Sequence, residues 1–392
     1  MTGFAEFRMP KTILYGNESL TKLGEQAACL GKKVLLVSDR IMAQIGVADR
    51  CQGYLTDAGL DCVCYWEVNS EPTDNHVQEA LTLCREHSCD VIVAVGGGSC
   101  IDAAKAVGLV ATNGGYIGDY MGGKRKIEHK PLPLIAIPTT AGTGSEATAV
   151  TVINSTKDDV KMMIKNPALI PEIAIIDPVL TYSAPAQVTA ATGIDALCHG
   201  IEAYISRAAQ PLTDQFALAA IELMVRNLRQ AYENGNDVEA RAKASLASLQ
   251  AGIAFSNASV ALVHGMSRPI GALFHVPHGI SNAMLLPAVL EFTKESATQR
   301  LADIGRILRP DLAGDTQQEL ANVTVNEVKQ LCRDLKIPNL KAYGVAEEKF
   351  NQVIPKMAVD ALASGSPGNN PRVPSLEEIE ELYRICYNYD FT

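Results

Sequence analysis

Asp195 and His199 stand four residues apart in TGIDALCHGIEAY. On a helix that spacing sets both side chains on one face. Two more histidines, His264 and His278, fall in LVHGMSRPIGALFHVPHGISN. Three neutral imidazoles and one carboxylate make a donor set of borderline softness, suited to a divalent transition metal, whereas Ca²⁺ and Mg²⁺ ask for more oxygen. Spacing alone leaves a second reading open, because a histidine on a helix is also a common hydrogen-bonded residue with no ligand role. His76, His87 and His129 lie in segments without a second ligand and are assigned to the surface. His275, three residues before His278, is assigned to a cleft and not to the ligand set.

A second kind of chemistry is carried by glycines. The run DVIVAV leads straight into Gly96, Gly97, Gly98 and Ser99, followed by a helical pattern over Cys100 to Ala111. Glycines at a strand-to-helix junction let backbone N–H groups approach a diphosphate at the positive end of the helix. PTTAGTGSE, from Pro138 to Glu146, follows the strand LIAI and adds hydroxyls at Thr139, Thr140 and Thr143. Neither loop is GxGxxG, so the pairing of the two loops carries the inference. Asp39, just past VLLVS, is placed to accept an adenosine ribose hydroxyl and favours NAD over NADP. Arg40 beside it pulls the other way, toward a 2′-phosphate.

These residues need elements to hold them. Short β-branched runs at 33–38, 61–67, 90–95, 134–137 and 173–176 alternate with helical patterns at 20–30, 41–59 and 75–87. That alternation predicts a mainly parallel sheet with helices on both faces and ligand sites at its carboxyl edge. After Pro178 the pattern turns helical throughout, over 187–206, 212–233 and 240–255. The expected organisation is an α/β dinucleotide-binding domain over residues 1–182 and an all-helical metal-binding domain over 183–392. Residues 364–374 are expected to form a loop before the last helix.

A 392-residue chain with 47% hydrophobic and 20% charged residues is composed like a folded globular protein. Its net charge of −10 argues against nucleic acid, and Lys124, Arg125 and Lys126 form the single basic run, read as a solvated turn. No apolar stretch is long enough to cross a bilayer, so a cytoplasmic protein is expected. The 10 cysteines include no CxxC pair and are read as reduced and mostly buried.

Taken together, FRMPKTILYG, GGGSCIDAAK, PTTAGTGSE, ATGIDALCHGIEAY, the long histidine segment ending in PHG, and GNNPR closely resemble the iron-containing (group III) alcohol dehydrogenase family over nearly the whole chain. The resemblance implies a dehydroquinate synthase-like architecture with a cleft between two domains. It assigns Asp195, His199, His264 and His278 to the metal, Gly97, Gly98 and Ser99 to the pyrophosphate, and Asp39 to the ribose. Thr139, Thr140, Thr143, Lys161 and Asp102 are assigned further cofactor contacts. It also implies NAD, Fe²⁺ (or Zn²⁺ or Mn²⁺), a small primary alcohol or its aldehyde as substrate, and a homodimer or larger homo-oligomer.

One departure stands out. Many members carry a second histidine four residues after the third ligand; here that position is Arg268. A guanidinium cannot act as a general base near neutral pH. Two roles are open to it: clamping a carboxylate, sulfonate or phosphonate on the substrate, or pairing with an acid of the protein. The rival functions are a hydroxyacid–oxoacid transhydrogenase and a non-catalytic structural or filament protein that kept a vestigial site.

Overall fold

The computed structural model describes residues 4–69, 71–158, 160–312 and 314–391. The chain divides into two compact units: Arg8–Ala184, and Pro185 onward together with the N-terminal residues up to Phe7. The N-terminal segment therefore leaves the α/β region to which the sequence reading gave it. Phe7 stacks on Phe216 at 5.6 Å and Gln210 donates to the Glu6 carbonyl at 3.0 Å.

The strands are β1 (Thr12–Tyr15), β2 (Lys33–Val37), β3 (Asp61–Tyr65), β4 (Val91–Gly96), β5 (Leu134–Pro138), β6 (Val150–Asn154), β7 (Lys161–Lys165) and β8 (Ile173–Ile176). Six form a parallel sheet in the order β1-β8-β5-β4-β2-β3, while β6 and β7 pair antiparallel. The helices of this unit are α1 (Leu23–Ala28), α2 (Arg40–Gln44), α3 (Val47–Asp57), α4 (Asp74–Glu86) and α5 (Gly98–Asn113). Val34 and Leu36 of β2 face a core shared with Leu23, Ala48 and Leu55, and Leu35 and Val37 face one shared with Val77, Ile101 and Ala104. Helices thus cover both faces, and every residue of β4 and β5 is buried, as uninterrupted apolar runs require.

Three strands escaped the sequence reading for physical reasons. β1 is a four-residue edge strand with no fully buried position, and β6 and β7 are five-residue strands buried at only every second residue. The pattern over 41–59 is two helices, because Gly46 adopts a left-handed φ of 78° between them.

Helices alone build the second unit: α6 (Ala186–Ile205), α7 (Pro211–Glu233), α8 (Val238–Ala258), α9 (Leu262–Phe274), α10 (His278–Thr293), α11 (Thr298–Leu308), α12 (Gln317–Asp334), α13 (Leu340–Tyr343), α14 (Glu347–Ala363) and α15 (Leu376–Tyr387). From Thr189 to Ile205 every residue of α6 except Thr192 is buried, which makes it the central helix. α7 opens on Pro211, where a missing N–H costs no hydrogen bond, and the Asp237 side chain caps α8 through the Ala240 amide. Among the described residues no single helix is long and apolar enough to cross a membrane.

Candidate metal centre

α6 supplies Asp195 and His199, α9 supplies His264, and His278 is the first residue of α10. The structure brings all four together, with their donor atoms within 4.8 Å of one another. From Asp195 Oδ1 the Nε2 atoms of His264, His278 and His199 lie at 3.5, 3.9 and 4.0 Å. A tetrahedral ion with ligand bonds of about 2.1 Å has ligand-to-ligand edges of about 3.4 Å, so the cluster is close to that size. The His278 side chain is 38% exposed while the other three are buried, which leaves the centre open on one side.

Asn282, wholly buried one turn after His278, tests whether a cation fits. Its Nδ2 donates to Asp195 Oδ1 at 2.6 Å and lies 3.1 and 3.2 Å from the Nε2 atoms of His264 and His278. An electropositive donor therefore sits where the lone pairs converge, as a cation would. Burial alone would raise the Asp195 pKa, but the three histidines hold it well below the ordinary carboxylate value. Burial lowers the His264 pKa, and the Glu202 and Asp195 carboxylates outweigh it and bring the group up to about 9.

Glu202 was not singled out from the sequence. It is 1% exposed; one oxygen accepts from the Val263 amide at 2.6 Å and the other faces His264 Nδ1 at 2.6 Å. That contact turns the Nε2 lone pair of His264 toward Asp195, the usual way in which a carboxylate orients a ligating histidine. Its place seven residues after Asp195 and three after His199 is the helical spacing that pointed to those two, so the signal was present. His199 is clamped by ring stacking on Phe255 at 4.1 Å and on His264 at 4.5 Å.

Each of the three histidines is followed by a glycine. A Cβ would fall 3.1 Å from Ile221 Cγ1 at Gly200, 2.7 Å from Pro367 Cγ at Gly265 and 2.6 Å from the Ala191 carbonyl at Gly279. The glycines let the ligand-bearing helices approach their neighbours, and the one at Gly279 draws α10 onto α6 beside Asp195.

His275 is not part of the cluster. It ends α9 in left-handed backbone at φ 54°, with its side chain exposed. Arg268 lies one turn after His264 on α9. Burial lowers its pKa against the opposing pull of Glu202, and among the described residues it makes no hydrogen bond and no ion pair. Of the histidines assigned to the surface, His87 and His129 are exposed, whereas His76 is half-buried and closes the capping box of α4 with Thr73.

In the α/β unit the two glycine loops leave the sheet side by side. Gly96 is in register with Pro138, and the Thr139 amide donates to the Gly96 carbonyl at 2.9 Å. A Cβ at Gly98 would lie 2.8 Å from Thr143 Oγ1, whereas one at Gly97 would meet only Thr140 Oγ1, at 3.9 Å. The space above Gly97, at the start of α5, is thus open to a ligand. Ser99 follows in the first turn of α5. Asp39 caps α2 through the Met42 amide at 2.9 Å, and its other oxygen lies 3.7 Å from the Cys100 thiol beside the loop. Arg40 turns away and pairs with Glu67 at 2.6 Å.

Lys161 and Asp102 each make a contact within the α/β unit. Lys161 pairs with Glu71 at 2.7 Å, and Asp102 accepts from the Val152 amide at 2.9 Å, tying α5 to β6. The same two motifs also pack charge behind the loops. Buried Lys105 donates to the Thr148 carbonyl and hydroxyl and to the Val150 carbonyl at 2.8–2.9 Å. Burial lowers its pKa to about 8 and raises that of neighbouring Glu146 to about 7.

Two family models cover most of the chain: "Iron-containing alcohol dehydrogenase" over residues 10–178 and "Fe-containing alcohol dehydrogenase family, C-terminal" over residues 189–387. The chain is 39% identical to the 1,3-propanediol dehydrogenase of Citrobacter freundii, across 97% of this chain and 98% of that one. The chain belongs to the iron-containing alcohol dehydrogenase family. Its fold superimposes on a crystal structure of 1,3-propanediol oxidoreductase with a TM-score of 0.94 at 36% identity, covering 98% of this chain and 100% of the other. It also superimposes on the sulfoacetaldehyde reductase of Bifidobacterium kashiwanohense in complex with NAD⁺, with a TM-score of 0.88 at 27% identity over 99% and 100% of the two chains.

As a member of that family the protein is an oxidoreductase that interconverts alcohols and aldehydes. In this alcohol dehydrogenase the GNNPR segment is structural. Asn369 Nδ2 donates to Ser259 Oγ at 3.1 Å and to the Val260 carbonyl at 3.2 Å. Ser259 has a φ of 66°, rare for a residue with a Cβ, so the segment secures a strained turn from which α9 carries His264.

Proposed function

We propose that Asp195, His199, His264 and His278 hold a divalent metal, iron by the family's name, in an NAD-linked dehydrogenase acting on small primary alcohols and their aldehydes. The observation that carries this reading is the convergence of four donor atoms within 4.8 Å around a buried carboxylate. When bound, the metal supplies a Lewis acid for the substrate oxygen and the nicotinamide a hydride acceptor.

The chain's own part is orientation and charge. Asp195 is the one charged donor beside three neutral imidazoles, so a divalent ion held there would keep net positive charge for a substrate oxygen on the side opened by His278. Glu202 keeps a proton on His264 Nδ1 and so keeps Nε2 free as a donor atom. Phe255 fixes the His199 ring. Gly97, Gly98, Ser99, Thr139, Thr140 and Thr143 are proposed to cradle the diphosphate, and Asp39 to take the ribose. NAD is favoured over NADP because Glu67 engages the one guanidinium beside Asp39 and adds a second carboxylate to that corner. NAD⁺ is also the cofactor named for the B. kashiwanohense structure. We place the protein in the cytoplasm, a reading supported by 10 free cysteines, none in a disulfide.

The test is to strip the protein of metal, restore Fe²⁺, Zn²⁺ or Mn²⁺ under reducing, anaerobic conditions, and follow NADH absorbance with a panel of short alcohols and aldehydes. Turnover that depends on stoichiometric metal is expected. Failure to bind any of the three ions would sink the reading.

A further inference from the structure

Arg268 is a largely enclosed charged group of the helical unit that the proposed chemistry leaves unused. It follows His264 by one turn on α9, so the two side chains leave the same helix face. Glu202 ties their positions together, since it contacts His264 Nδ1 at 2.6 Å and is also the carboxylate that acts on the Arg268 charge. The guanidinium is therefore on the His264 side of the helix, close to the metal cluster.

Its surroundings do not satisfy it. Arginine carries five N–H donors and no acceptor. Among the described residues Arg268 makes no hydrogen bond and no ion pair, although it is largely enclosed and only partly reached by solvent. Glu202, whose oxygens accept from the Val263 amide and face His264 Nδ1, makes no hydrogen bond or ion pair with it. A mostly desolvated cation without acceptors is costly unless a ligand brings them. A lone cation on a solvated face would need no such partner.

We propose that Arg268 binds a terminal oxyanion on the substrate, a carboxylate or sulfonate, and so selects short ω-hydroxy acids or their aldehydes over neutral alcohols. One helical turn is about 5.4 Å, so a chain of about two to four carbons spans the distance from the reacting end to the anionic end. The flat guanidinium fork matches either oxyanion through two parallel hydrogen bonds. This assignment rests on the metal-site reading above, because that site fixes which end of the substrate reacts.

The test measures binding and turnover separately. Protein loaded with metal and NADH, in which alcohols bind without reacting, is titrated calorimetrically with 3-hydroxypropanoate, 2-hydroxyethanesulfonate and the neutral 1,3-propanediol. At least one anion is expected to bind about 100-fold more tightly than the diol. In Arg268→Gln that ratio should collapse toward one, and in Arg268→Lys, which keeps the charge without the fork, it should fall only in part. The two anions distinguish a planar carboxylate from a tetrahedral sulfonate as the preferred group. Equal or weaker binding of both anions by the wild type overturns the proposal, as does a preference that survives Arg268→Gln. If Arg268→Gln does not fold, Arg268→Lys and the wild-type ratio decide. An anion preference without turnover of any alcohol would sink the dehydrogenase reading and leave the anion site standing; turnover without the preference would do the reverse.

Discussion

Gly97 and Gly98 offer a ligand what they lack: the missing Cβ at Gly97 leaves open space above the loop, and the one at Gly98, which would fall 2.8 Å from Thr143 Oγ1, lets the second loop pack against the first. Asp195, His199, His264 and His278 offer what they carry, four donor atoms brought from three helices. In the α/β unit, strand register sets the site, because Gly96 pairs with Pro138 and the two loops must emerge together. In the helical unit, helix-to-helix distance sets it, and glycines after each ligand histidine control that distance. A site made of backbone and space tolerates side-chain changes away from its floor. A site made of converging side chains fails when one of them, or the residue that aims it, is lost.

The contrast can be broken first at the ligands. Asp195→Ala should abolish metal binding and lower kcat/KM by about a thousandfold or more, the several kcal/mol that a Lewis acid contributes. NADH binding, followed by fluorescence, should stay within a few-fold of wild type if the two regions act separately.

Proton linkage gives the next largest effect. In metal-free protein the His264 pKa is raised to about 9, above its ordinary value near 6.5, so a bound proton competes with the ion. Metal affinity should therefore climb up to about tenfold per pH unit between pH 6.5 and 9 and then level off. The sign for stability is opposite: this raised group stabilises the metal-free fold fully below about pH 6.5 and ceases to do so as pH rises through 9. Metal titrations across that window check the first sign, and melting temperatures of metal-free protein, with and without Glu202→Gln, check the second.

Glu202→Gln itself should weaken metal binding by about 10- to 100-fold, the usual cost of losing the carboxylate that orients a ligating histidine. An affinity equal to wild type would mean that packing alone aims His264. Smallest is the expected effect of Gly98→Ala, whose methyl must displace Thr143: NADH affinity should fall about tenfold, with metal content unchanged. A Gly98→Ala protein that binds NADH normally would show that the loop has slack its geometry does not reveal.

The two regions also differed in how far they could be read from sequence. Both glycine loops were legible because the strand that ends, the glycines that turn and the helix that begins are contiguous in GGGSCIDAAK, and nearly so in PTTAGTGSE. The α6 pair was legible from helical periodicity. Joining His264 and His278 to that pair drew on the family resemblance, since nothing in a linear sequence says that α9 and α10 dock on α6. Glu202 shares the helical spacing of Asp195 and His199, but its role, like that of Asn282, is invisible in a linear sequence because each acts on a residue of another helix. His275 and His278 are close in sequence but lie across the end of one helix and the start of the next, so helical periodicity does not relate their side chains.

The sequence by itself determined the residue types that do chemistry, the glycine turns, the alternation of strands and helices, and the change to an all-helical second half. All of these depend on interactions among residues a few positions apart. Tertiary structure decided which histidines share a carboxylate, which carboxylate aims His264, and that Arg268 is enclosed without an acceptor. Those outcomes depend on distances between helices, which are set by packing at glycines and apolar faces far apart in the chain.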